Sequence, residues 1–241
     1  MYVIRELEHA IYLCETGDCA EESCLGKAAV HEVDEAVAFY AGSLAPEGVL
    51  VYNLAEKRAL EFGTVTDGVS QVNIDLLEAF DSAKESIVGA DCAGLRTDTT
   101  RIVQLMSIPL VQGTITYTAA GTSADEDEQA ERVIFAASVL PFVANCSTED
   151  ADVIYDNTKA GATAVDIDAV KTAFANNYEC MGISAADVGE YNGGTDGGTD
   201  GGTDEGTDGG TDGGTDGGSA TSGAAQAGWN LGVILLFYGM F

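Results

Sequence analysis

The run Asp34–Thr64, DEAVAFYAGSLAPEGVLVYNLAEKRALEFGT, reads as a helical hairpin. Val30, Val33, Val37, Tyr40 and Leu44 recur at three- and four-residue steps, which puts them on one stripe of a helix over Leu25–Leu44. Glu47–Phe62 makes the returning helix, with Val51, Leu54 and Ala55 inward and Gly63 as its stop. The hairpin also concentrates carboxylates, two tyrosines and the Lys57-Arg58 pair. Such hard-oxygen and anion-holding groups suit a hard cation better than they suit covalent catalysis.

The same spacing continues outward in both directions. Met1–Cys14 reads as a short amphipathic helix. Downstream, helices are expected over Ser70–Val88, with Val72, Leu76, Phe80 and Ile87 inward, and over Gly94–Thr118, kinked at Pro109. Three more follow: Asp125–Ala144 with an acidic first turn, Thr148–Lys159 capped by Thr148, and Asp166–Tyr178. The β-branched run Thr114–Thr118 is ambiguous between helix and strand. The expected class is all-α, an antiparallel multi-helix bundle followed by a disordered acidic linker. The domain limits read as an N-terminal segment 1–24, a helical domain 25–190, a Thr-Asp-Gly-Gly linker 191–218 and a C-terminal segment 219–241.

Acids outnumber bases 40 to 10 in 241 residues, a net charge of −30. That surface repels nucleic-acid phosphates and anionic lipid headgroups and attracts cations. Solubility in salty surroundings accounts for the charge more simply than metal capture does. The six cysteines are even in number, as expected for three disulfides in a secreted protein. They contain no CxxC pair, which argues against a zinc site. Cys146 and Cys180 sit at the ends of two expected helices and are placed to staple them. Asn145-Cys146-Ser147 is a formal glycosylation sequon.

Residues 192–218 repeat Thr-Asp-Gly-Gly without one apolar side chain, the composition of a self-repelling spacer. The apolar end, WNLGVILLFYGMF (229–241), is too short to cross a bilayer as a helix. Small residues, a polar spacer and a short apolar terminus fit a glycolipid-anchor signal, and a truncated membrane segment is the rival reading. The first residues lack the apolar run of a secretory signal, so the expectation is a start truncated upstream, with a cytosolic chain as the alternative.

Enzymatic signatures are missing: there is no GxSxG, HExxH, P-loop or dinucleotide fingerprint, and only His9 and His31 offer imidazole. The chain is therefore expected not to be an enzyme. Ferric iron, which prefers phenolate and carboxylate oxygens, is the better match. His31, Asp34, Glu35, Tyr40 and Tyr52 are the candidate metal ligands, with Glu32, Glu56, Gln112 and Tyr117 as further candidates. His31 and Glu35, like Tyr52 and Glu56, are i,i+4 neighbours and share a helix face. Each residue also has an ordinary structural role open to it. Tyr40 suits a core tyrosine, Arg58 an ion pair with an acid such as Asp34, and Gln112 a backbone contact near Pro109.

Four ordered blocks carry a resemblance: Asp34–Thr64; Ser107–Thr114 (SIPLVQGT) with Tyr117; Ala137–Val143 (ASVLPFV); and Val170–Phe174 (VKTAF) leading to Tyr178 and Cys180–Ile183 (CMGI). Over roughly Leu25–Val188 the chain resembles the algal low-iron-inducible periplasmic proteins, a group that includes the phytotransferrin-like iron-uptake proteins. The resemblance implies a ferric-iron-binding protein assisting uptake, with carbonate as co-bound anion and Arg58 or Lys57 as its cationic holder. It implies a place at the extracellular face of the plasma membrane or in the periplasmic space, attached through a lipid anchor or the C-terminal segment, and an uptake receptor or permease as partner. The family pattern often carries a cysteine after the Phe-Gly-Thr of the second helix. Val65 stands there, leaving Cys92 to pair with Cys14, Cys19 or Cys24, or to stay free. A structural or adhesive surface protein without a metal is the alternative function.

Overall fold

The computed structural model describes residues 2–17, 22–42, 48 and 50–193; for 22–27 it describes the backbone alone. The Thr-Asp-Gly-Gly linker, the apolar terminus, Leu44 and Cys19, and the Cys24 side chain, lie outside the described residues.

Among the described residues the chain is all-α apart from one small hairpin. The helices are α1 (Tyr2–Thr16), α2 (Glu22–Ala41), α3 (Val51–Phe62), α4 (Gln71–Val88), α5 (Cys92–Ala119), α6 (Glu126–Ala144), α7 (Thr148–Thr158), α8 (Ile167–Met181) and α9 (Ala185–Val188). Consecutive helices pack in turn from α4 to α8, and α1 packs on α2 and α5, giving an antiparallel multi-helix bundle around α5. Among the described residues, no helix is long and apolar enough to cross a membrane.

Local chemistry sets the helix limits. Gly63 takes φ 69°, the left-handed stop expected after α3. Asp125 caps α6 through a capping box with Glu128, and Asp166 caps α8 by accepting from Asp168 and Ala169. The cap of α7 is Ser147 and not Thr148: its Oγ accepts from the Asp150 N–H at 3.2 Å. The ambiguous Thr114–Thr118 run is helical, inside α5, where Thr114 and Thr118 return their hydroxyls to carbonyls four residues back. The strands that do form, Val65–Thr66 and Val69–Ser70, are two residues each, too short for sequence alternation to reveal. Asp67, at φ 51°, and Gly68 make their turn.

One core runs through the molecule. The expected inward residues of α4 (Val72, Leu76, Phe80, Ile87) are all buried, as are Val33 and Tyr40 of α2. Val3, Leu7, Ala10 and Ile11 of α1 belong to the same core, so the first helix is a working part of the bundle. Burying a side chain such as Phe80 or Phe174 contributes about 1.5–3 kcal/mol. Among the described residues, two disulfides brace the surface. Cys146–Cys180 links the end of α6 to the end of α8, as the spacing suggested, and Cys14–Cys92 ties α1 to the start of α5. After α9 the chain returns to α3, where Glu190 and Asn192 donate to the carbonyls of Phe62 and Glu61 at 3.1 Å. Gly189 permits this approach: its φ is 72°, and a Cβ there would strike the Phe62 carbonyl oxygen.

Candidate functional site

The hairpin's oxygen-rich residues divide into two clusters on opposite sides of α3. The first lies where α2, α3 and α4 meet. Tyr40 has no exposure, its ring lying edge-on to Tyr52 at 6.1 Å and tilted against Phe80 at 5.8 Å. Its hydroxyl donates to Oδ1 of the equally buried Asn73. Asn73 Nδ2 in turn donates to the Tyr52 carbonyl at 3.0 Å and to Glu56 Oε1 at 2.6 Å. The Glu56 carboxylate also accepts the Ser70 N–H, at 3.1 and 3.2 Å, and so holds the N-terminus of α4. Burial pushes the Tyr40 phenol far above its ordinary range, and nearby Tyr52 and Glu56 push it further. The Tyr52 phenol is also raised, by burial and then by Glu56. The cluster is thus a satisfied polar link between three helices. A phenolate at Tyr40 would have to break it.

The second cluster joins α3, α5 and α6. Arg58 is 1% exposed, and its Nη1 lies 2.9 Å from Glu61 Oε2, one helical turn on. That contact is close but off the N–H axis, an ion pair without an aligned hydrogen bond. Nε and Nη1 of Arg58 have no hydrogen-bond partner. The guanidinium carbon stands 5.4 Å from the centroid of the Tyr117 ring, whose other neighbour is Phe135, stacked at 5.4 Å. Thr116 donates to Glu61 Oε2 at 3.0 Å. The Tyr117 phenol is pushed up by burial first and then by its hydrogen bond to Glu131, against the opposing pull of Arg58.

The other candidates do not converge with either cluster. His31 and Glu35 pair at 3.1 Å along the exposed face of α2. Asp34 reaches across to Lys84 on α4 at 3.0 Å, so the expected Arg58–Asp34 pair does not form; Arg58 faces Glu61 instead. Glu32 meets His9 of α1 at 3.1 Å. A set of His31, Asp34, Glu35, Tyr40 and Tyr52 therefore does not assemble, because the first three lie on the solvent side of α2 and Tyr40 on its inner side. Lys57 is exposed, separated from Arg58 by the turn of the helix. Gln112 does not patch the backbone near Pro109; its Nε2 donates to the Val188 carbonyl at 2.8 Å and pins α9. Two surface hollows lie elsewhere: about 490 Å³ beside Asp81 and Lys84, and about 360 Å³ beside the Cys146–Cys180 disulfide.

Sequence reasoning missed Asn73, Glu61 and Glu131. Glu61 was legible, three residues after Arg58 on the same face. Asn73 and Glu131 come from other helices and carry no local signal. No family model matches the chain, and no curated protein or solved structure does either.

Proposed function

We propose that this chain is a ferric-iron-binding protein that assists iron uptake at a cell surface, with carbonate as co-bound anion at Arg58. The observation that carries this reading is the fully buried Arg58 guanidinium, with Nε and Nη1 lacking hydrogen-bond partners. Buried donors are almost always satisfied, and a small planar anion is a natural partner for a guanidinium edge. Around it stand hard oxygen groups of the kind ferric iron takes: the Tyr117 phenol and the carboxylates of Glu61 and Glu131. The order of the four sequence blocks supports the same function, and the acidic Thr-Asp-Gly-Gly tract suits a stalk at the surface.

The test is a titration of the purified chain with chelated Fe³⁺, with and without bicarbonate, read at the visible phenolate-to-iron absorption. The reading requires an absorption that bicarbonate strengthens, that Tyr117→Phe abolishes, and whose bicarbonate dependence Arg58→Gln removes. Absence of the band, or indifference to bicarbonate and to both variants, refutes it.

A second reading, a structural surface module without metal, has its own support in Tyr40. That phenol is wholly buried and spent on Asn73, the role of a core tyrosine. Under this reading Fe³⁺ binds no more tightly than to any acidic chain.

A further inference from the structure

Outside both clusters, α1 and α2 bring a histidine and two glutamates together. Glu6 and His9 are three residues apart on one face of α1, and Glu32 faces them from α2. One ligand atom from each lies within 4.8 Å of the other two, and His9 Nδ1 is already 3.1 Å from Glu32 Oε2. A second, independent observation concerns Glu6 alone. It is 2% exposed, the only buried carboxylate among the described residues. Burying an ionised carboxylate is costly unless a cation compensates it. Its cationic neighbour is Arg5, whose own side chain is 67% exposed, and both Arg5 contacts fall on Oε1, at 2.9 Å from Nε and 2.6 Å from Nη2. Arg5 thus meets one of the two carboxylate oxygens, through a guanidinium that itself stands largely in solvent.

We infer that Glu6, His9 and Glu32 form a binding site for a divalent first-row transition ion. One imidazole nitrogen and two carboxylate oxygens suit Zn²⁺, Mn²⁺ or Fe²⁺ better than the all-oxygen preference of Ca²⁺ or Mg²⁺. Ligand distances of about 2.0–2.2 Å require the three groups to close by under roughly 1 Å, a movement open to the half-exposed His9 side chain. Three protein ligands leave further positions to water or a second ligand. Binding across two helices would also clamp α1 to α2.

The experiment is calorimetry of the full chain with Zn²⁺ in a large excess of Ca²⁺, which occupies the generic acidic surface. One Ca²⁺-resistant Zn²⁺ site is expected, weakened roughly tenfold or more by His9→Gln and by Glu32→Gln. His31→Gln, at the other histidine, is expected to leave it unchanged. Co²⁺ substitution, read by its visible absorption, gives a second readout lost in His9→Gln, with circular dichroism showing that the variant stays folded. Arg58→Gln, the variant that tests the ferric reading, should retain the Zn²⁺ site, so the two proposals fail separately. The inference is overturned if Ca²⁺ displaces all Zn²⁺, or if a folded His9→Gln protein binds as tightly as the unaltered chain.

Discussion

The Arg58 guanidinium lies against the face of the Tyr117 ring, 5.4 Å from its centroid, and so joins α3 to the far half of α5. An arginine withdrawn from water needs compensation on every side. Here the ring supplies one side and Glu61 another, at 2.9 Å. The Nε–H left without a partner is what makes the cluster a candidate anion site and not only an internal ion pair.

The pairing of Arg58 with Glu61 has a measurable consequence. Glu61→Gln leaves the buried guanidinium without its counter-charge. The Glu61 side chain keeps 18% exposure, which places the loss at the lower end of the about 3–5 kcal/mol typical of a broken buried pair. Combining it with Arg58→Met removes the orphaned charge and should recover most of the loss. Urea unfolding of the unaltered chain, both single variants and the double variant closes the cycle. Additive losses would show that the two residues do not act as a pair.

Tyr40 separates the structural role from the ligand role. Removing its hydroxyl leaves Asn73 Oδ1 buried without a donor, which costs about 1–3 kcal/mol. Tyr40→Phe should therefore lower the urea midpoint while leaving the response to Fe³⁺ and bicarbonate intact. An unchanged midpoint together with lost iron binding would make Tyr40 a ligand and return the site to the α2–α4 junction.

How far the sequence reaches is visible in α2. Its periodicity places Val33, Val37 and Tyr40 inward and His31, Asp34 and Glu35 outward, as the structure has them. The same periodicity also shows that Tyr40 cannot share one metal with His31, Asp34 and Glu35, since the phenol points to one side of the helix and the other three groups to the opposite side. Partners on other helices carry no such signal. Asp34 finds Lys84 fifty residues away, Tyr40 finds Asn73, and Glu6 and His9 find Glu32 across the α1–α2 contact. Spacing fixes which face a residue lies on, and packing fixes whom it meets. The Cys146–Cys180 link was legible because both residues end helices whose limits could be read. The choice of Cys14 for Cys92 was not, because three near-equivalent cysteines precede it.

The two disulfides should contribute unequally. Cys14–Cys92 spans 78 positions and Cys146–Cys180 spans 34. In the chain-entropy account a longer closed loop removes more freedom from the unfolded chain, giving about 4.5 and about 3.8 kcal/mol respectively. The paired substitution Cys14→Ser/Cys92→Ser should therefore lower the urea unfolding free energy more than Cys146→Ser/Cys180→Ser. The reverse order would mean that α1 is held mainly by its apolar face and that the link adds little.

Alkaline pH offers a test of the buried phenols. Burial pushes the Tyr178 phenol up to about 12, and burial likewise raises Tyr40 and Tyr117. An unfolded tyrosine releases its proton near 10. Between these values the folded chain holds protons that the unfolded chain has lost, so the unfolded state gains stability as pH rises. The contribution of these groups is complete below about pH 10 and is lost as pH climbs through the folded values, by about 1.4 kcal/mol per pH unit for each phenol. Urea midpoints should be level from pH 8 to about 9.5 and fall steeply above it. Tyr178→Phe should make that fall shallower by about one proton's worth. A midpoint that stays level to pH 11.5 would show that these phenols are open to solvent, and with it that the packing around α8 differs from the one described.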